Sequence, residues 1–319
     1  MARSPAVTPL LVRKWLYKQA RAKRTEQGAR VLPLRDYLQL TNPNIVYLLA
    51  FTAGTAALMA GGASRPLDVL VITLSVGLCS AGARSVTNFI DRDTDAVMHR
   101  TANRPLPRGV IPPNNALIWG GGLIASGLAL AYPLSWTLPL YLVLGLADNI
   151  IVYNLLTKRR TPWNIVLGAP SGGVPAFVDY VALKGHVDWT AFVLAALVVL
   201  WTPAHIWSLA VRFKDDYGRA HIPMLPVALG VKTGIRCIAY TSILLAGFTA
   251  VLPFLPGSPF GLASSLIATA LSIILLGMSL WLVKYPTEKV AWDLFKFTSP
   301  YLALLFSILA LDVVLAASP

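Results

Sequence analysis

Asn88-Phe89-Ile90-Asp91-Arg92-Asp93-Thr94-Asp95 ends an apolar run that starts near residue 67, and His99-Arg100-Thr101-Ala102-Asn103-Arg104-Pro105 follows it. A run of about 20 mostly apolar residues is long enough to cross a hydrocarbon core of roughly 30 Å. Further runs of that kind lie near 43–62, 115–133, 135–156, 162–181, 188–211, 233–252, 259–283 and 294–317, so about nine spans are expected. They are continuously apolar, which excludes the alternating pattern of a transmembrane barrel. The fold class is therefore an all-α integral membrane protein.

Composition agrees. Of the 319 residues 56% are hydrophobic and 13% charged, against about 25% charged in a soluble domain. With a mean hydropathy of +0.64, this excludes a soluble enzyme, a disordered chain and a disulfide-rich secreted module. Cys79 and Cys237 both sit in apolar stretches and read as buried thiols. The net charge of +13 would suggest nucleic acid in a soluble chain. Here it reads as basic loops on one side of a bilayer, with no nucleic-acid partner.

Of 27 Lys and Arg residues, 22 fall in the N-terminal segment and the loops at 91–114, 157–161, 212–232 and 284–293. The opposite loops hold only Arg65 and Lys184. This positive-inside bias puts the N-terminus and those loops on the cytoplasmic-equivalent side. Such a chain fits a bacterial or archaeal cell membrane, with the mitochondrial inner membrane as the alternative. Residues 1–41 are basic, lack the pattern of a secretory signal and read as an interfacial segment on anionic lipid. Residues 42–319 form the membrane domain.

If the second span stays helical to its end, 100° per residue brings Asn88, Asp91 and Asp95 within about 60° of one another. Arg84 lies one turn deeper on that face, and Asp93 points elsewhere. Clustered carboxylates repel unless a cation joins them, and Mg²⁺ takes oxygen ligands from one or two carboxylates plus substrate phosphates. Arg100 and Arg104 supply planar donors suited to a diphosphate. The bland alternative is a solvated loop that merely ends a helix, which the intramembrane Arg84 argues against.

A second cluster, Trp201-Thr202-Pro203-Ala204-His205-Ile206-Trp207-Ser208 and then Arg212-Phe213-Lys214-Asp215-Asp216-Tyr217-Gly218-Arg219, projects His205, Ser208, Arg212 and Asp216 onto one helical face, with Asp215 beside them. Pro203 should kink this span. A lone His on an apolar helix is usually a packed core residue, and that reading stands beside a functional one. Lys158-Arg159-Arg160, between Tyr153 and Asn164, is either a third cluster or a set of membrane anchors. All three clusters project to the same side. Asp148 and Asn149 are unusual within a span, and Gly120-Gly121-Gly122 and Gly168 to Gly173 suit close helix packing.

These motifs, in this order, resemble the intramembrane prenyltransferases of the UbiA type, and within them the protoheme IX farnesyltransferase family. The resemblance runs from about residue 35 to 232, and the last three spans share only hydropathy. It implies helices around a central cavity, farnesyl diphosphate bound through one or two Mg²⁺ ions, and heme B as acceptor substrate. It also admits a downstream heme-modifying enzyme as partner. Carried over by position, Asn88, Asp91, Asp95, Asp215 and Asp216 would be metal-binding, with Lys214 in the catalytic set. Arg84, Arg100, Arg104, Lys158 and Arg219 would bind diphosphate, and His205 and Arg212 heme. The chain departs from the family pattern in three places. Asp215 and Asp216 have no acid four residues on, Thr41-Asn42-Pro43-Asn44 replaces T-K-P-R, and His221 replaces a Gly. A quinone precursor or other aromatic acceptor is the nearest alternative, and an ion or solute transporter the more distant one.

Overall fold

The computed structural model describes residues 34–255, 258 and 260–316. The interfacial reading of the N-terminal segment therefore falls, for residues 1–33, outside the described residues. A short helix α1 (Leu34–Leu40) leads in, with Leu34 and Leu38 exposed and Leu40 buried. Helices then occupy all nine expected stretches: α2 (Pro43–Met59), α3 (Pro66–Asp95), α4 (Pro113–Ala131), α5 (Thr137–Thr157), α6 (Asn164–Lys184), α7 (Trp189–Arg212), α10 (Val231–Phe254), α11 (Leu262–Lys284) and α12 (Glu288–Ala316). Two short helices, α8 (Lys214–Arg219) and α9 (Leu225–Ala228), lie between α7 and α10. Among the described residues seven helices are long and apolar enough to cross a membrane, while α2 has 17 residues and α4 has 19.

The ends follow from local chemistry. Pro43, Pro66 and Pro113 open α2, α3 and α4, where the missing N–H costs nothing. Gly185, at φ 82, closes α6, a conformation that side chains disfavour. Asp188 caps α7 by accepting the Ala191 N–H at 3.2 Å, satisfying one orphan donor. The helix α7 then runs unbroken through Pro203.

Helices α3 and α4 cross at Gly82 and Gly120, where an added Cβ on Gly82 would lie 2.5 Å from the Gly120 carbonyl oxygen. The expected role of small residues in close packing holds at this crossing. The largest core cluster joins Met59, Tyr180, Leu194, Leu197, Trp201, Leu245, Leu271, Tyr301 and Phe306 from six helices. Outward faces carry exposed Leu70, Leu140, Phe192, Leu244, Ile273 and Leu304, surfaces that suit lipid.

Candidate active site

A cavity of about 480 Å³ lies inside the bundle, lined by residues from Asn42 to Ile222. Helices α10–α12 contribute none of its lining, so they buttress it from behind. Along α3 the lining runs from Asp95 down to Val76, 19 residues or about 28 Å at 1.5 Å per residue. One end is charged and the other, with Leu48, Val76, Leu142, Leu146, Val174 and Val198, is apolar.

Because α3 stays helical to Asp95, Asn88, Asp91 and Asp95 share one face of it, and all three line the cavity while being nearly inaccessible. Their partners come from elsewhere in the chain. Arg104 donates to Asn88 Oδ1 at 3.0 Å and to Asp95 Oδ2 at 2.7 Å. Lys158 pairs with Asp91, and Arg159 reaches the same carboxylate at 3.3 Å. The Asn88 amide nitrogen donates to the Leu40 carbonyl at 2.6 Å, so the end of α1 fixes which way its oxygen points.

Arg84 lines the cavity beneath this group, and its guanidinium has no hydrogen-bond partner among the described residues. A cation inside a membrane bundle is costly unless something pairs it. Arg84, Arg100, Arg104 and Lys158 line the cavity and Arg159 touches Asp91, so five cations face two carboxylates. The excess is what a diphosphate would neutralise.

The end of α5 sets Lys158 and Arg159 in place. From Asp148 to Thr157 its turns are widened, with the Lys158 N–H bonded five residues back to the Tyr153 carbonyl at 2.8 Å. Such wide turns are frequent at functional sites. Tyr153 packs its ring on Gly168, where a Cβ would approach within 2.7 Å. The fully buried Asn164 donates to the Thr161 carbonyl at 2.8 Å and braces the turn. Asn149 lines the cavity, whereas Asp148 accepts the Ser171 N–H at 2.9 Å and caps the second part of the interrupted helix α6. The sequence named Arg159 only as part of a basic run, and its contact with Asp91 depends on how α5 ends.

The second acidic motif is arranged differently. Asp216 is buried, and its two oxygens accept the backbone N–H groups of His99 and Arg100 at 3.0 and 3.1 Å. Arg219 pairs with the same carboxylate. Partial burial works against its ionisation, yet those backbone donors and the Arg219 guanidinium hold the carboxyl below the ordinary carboxylate value. Asp215 is exposed. Lys214 pairs with Glu288, which raises its pKa, and Arg212 lies 5.8 Å from the Trp292 ring centroid. None of Arg212, Lys214, Asp215, Asp216 and Arg219 lines the cavity. The second motif's groups thus do not join Asp91 and Asp95 in the cavity lining: α7 ends at Arg212, α8 restarts at Lys214, and Asp216 is spent on a neighbouring loop. His205 does line the cavity, held between aromatic rings.

The donor set on α3 fits a hard divalent cation. It offers two carboxylates and an amide oxygen, and among the described residues no group of three His, Cys, Asp or Glu could cage a metal alone. Mg²⁺ is usually held in this incomplete way, its shell finished by substrate phosphate and water.

The UbiA prenyltransferase family matches residues 47–306. The chain belongs to that family. A UbiA member of this kind is an integral-membrane prenyltransferase, and the relatives are specific. The chain is 40% identical over 286 residues to a protoheme IX farnesyltransferase of Desulforudis audaxviator, covering 88% of each. It is 38% identical to protoheme IX farnesyltransferase 2 of Cenarchaeum symbiosum, covering 88% of this chain and 96% of that one. Among solved structures, a UbiA homologue of Archaeoglobus fulgidus bound to GPP and Mg²⁺ superposes with a TM-score of 0.62 at 17% identity, over 88% of this chain and 99% of that one. A digeranylgeranylglyceryl phosphate synthase structure reaches 0.72, also at 17% identity, over 88% and 98%. These two likenesses establish the UbiA fold.

Proposed function

We propose that this chain transfers a farnesyl group from farnesyl diphosphate to a vinyl group of heme B, with addition of water, giving heme O. One observation carries the transferase chemistry: the face of Asn88, Asp91 and Asp95 meets Arg84, unpartnered among the described residues, at one end of a cavity whose other end is apolar. The choice of heme as acceptor is supported by the names of relatives at 36–40% identity.

In this reading Asn88, Asp91 and Asp95 hold Mg²⁺ against the diphosphate, and Arg84, Arg100, Arg104 and Lys158 bind its oxygens. When bound, Mg²⁺ supplies Lewis-acid stabilisation of charge on the departing diphosphate. Arg104 and Lys158 are charge partners of the metal-binding acids before substrate arrives, so anion binding draws them off those acids. The diphosphate leaves with the C–O bonding pair toward cations already drawn to it on binding. The allylic cation then adds to the heme vinyl carbon, and water captures the second cation and gives up a proton. The apolar lining delays water until that step. His205 contacts the tetrapyrrole, and Arg212 stands at the exposed end of its ring stack. Asp216 and Arg219 act through the 98–101 turn and Lys214 through its tie to α12.

The site loops face the cytoplasmic-equivalent side, and the lipid-soluble product passes to a membrane enzyme that modifies heme further. The test is to incubate purified protein with farnesyl diphosphate and Mg²⁺, adding heme B or a quinone precursor, and to weigh the products. Heme B heavier by one farnesyl group and one water is expected. Prenylation of the quinone precursor alone would overturn the acceptor, and flux without prenylation the enzyme class.

A further inference from the structure

One imidazole in the cavity wall is held on both faces and at one edge. His205 is sandwiched by Trp201, at a centroid distance of 4.3 Å and 18° between planes, and by Phe295, at 4.4 Å and 23°. Trp292 continues the column beyond Phe295 at 4.6 Å. Both ring faces are therefore covered. At one edge His205 Nδ1 lies 2.8 Å from Thr298 Oγ1, and that hydroxyl donates to the Phe295 carbonyl at 2.8 Å. A hydroxyl has one proton to give. With that proton on the carbonyl, Oγ1 accepts from the ring, and in this arrangement Nδ1 carries the hydrogen and Nε2 the lone pair.

His205 lines the cavity, and with both faces covered and Nδ1 engaged the Nε2 edge is the one left to meet it; Nε2 has no hydrogen-bond partner among the described residues. Thr298 fixes the stack as well, since its carbonyl accepts the Trp201 indole N–H at 2.7 Å. Rotating the imidazole would break both ring contacts and the Thr298 bond together. A neutral imidazole with Nδ1–H given to an oxygen and Nε2 bare is the form that ligates a transition metal, and the partner behind it sets orientation and basicity.

We infer that Thr298 is a positioning residue that holds His205 with Nε2 facing the cavity as an axial ligand for the iron of the bound tetrapyrrole. This rests on the heme reading above. Thr298 is fully buried on α12, far along the chain from every motif, and lines no part of the cavity itself.

The experiment uses the full chain in lipid nanodiscs titrated with heme B, followed by resonance Raman spectra of the ferrous state and by farnesyl transfer. The wild type should bind heme saturably and show an iron–histidine stretch. His205→Ala should lose that band. Thr298→Val keeps the side-chain shape and the Trp201 bond but removes the acceptor. It should weaken heme binding about 10- to 100-fold, as loss of a partner behind a ligand does, and shift or abolish the band. Thr298→Ser should restore both. Saturable binding and farnesyl transfer with no iron–histidine band, or a band surviving in His205→Ala, would overturn ligation while leaving the proposed reaction intact. A Thr298→Val spectrum and affinity matching the wild type would overturn the role of Thr298. Absence of both heme binding and transfer would overturn the reaction and the inference together.

Discussion

At the end of α3 the carboxylates of Asp91 and Asp95 reach into the cavity and meet cations brought from residues 104, 158 and 159. After α7 the carboxylate of Asp216 is instead taken up by the backbone of residues 99 and 100. The two stretches are similarly acidic and each follows an even-numbered span. What separates them is whether the helix that leads into them continues. The first remains on the α3 axis to its last residue, so its acids inherit a face. The second leaves the α7 axis at Phe213, restarts as α8, and its buried acid lands on the neighbouring loop. In the proposed reaction one stretch offers ligands and the other holds the turn that carries Arg100.

Substitutions can break this contrast. Asp91→Asn and Asp95→Asn should each lower turnover by about 10²–10³-fold or more, the scale for losing a group that stabilises developing charge, while the protein still inserts and folds. Near-normal turnover measured with farnesyl diphosphate and saturating Mg²⁺ would remove the metal assignment from α3. Asp216→Asn should cost about 10- to 100-fold, as loss of an orienting partner does, with the apparent affinity for Mg²⁺ little changed. A large fall in that affinity would return Asp216 to the metal shell. Asp215→Asn, an exposed change, should alter turnover by less than about twofold.

Acidity sharpens the same point. The Asp216 carboxyl is held below its ordinary value in the folded chain, so its contribution is present above the unfolded pKa and is lost as pH falls through the folded one. Protease resistance of the 98–101 turn should therefore be flat through the neutral range and fail only below the ordinary carboxylate range. In Asp216→Asn that acid-dependent step should disappear. The smallest effect is expected at His221, which takes φ 53, the left-handed region where a side chain is strained. His221→Gly should leave turnover unchanged and raise thermal stability by up to about 1 kcal/mol.

Much of this was legible in the chain. Apolar runs located all nine helices, and the 100° step placed Asn88, Asp91, Asp95 and Arg84 on one cavity wall. The same step failed after Arg212, because periodicity carries no sign of where a helix stops when no Pro or Gly marks it. Phe213 ends α7 without either. Arg159 escaped attention because its contact depends on widened turns in α5, which leave no pattern in residue type. Thr298 was invisible for another reason: its partners, Trp201 and His205, are about 95 positions away, and only folding brings α12 behind α7. The Gly usually found at the position of His221 marked a left-handed turn, and the backbone keeps that turn with His in place.

The side chain of Asn88 has two ends, one on the Leu40 carbonyl and the other on the Arg104 guanidinium beside Asp95. Lead-in helix and reaction chamber are therefore geared through a single amide. Any event at the bilayer surface that lifts the lead-in by the length of one contact frees that amide to swivel, and the oxygen it offers the ion drifts. Shortening the chain ahead of Leu40 should accordingly slow the chemistry well before it loosens the bundle.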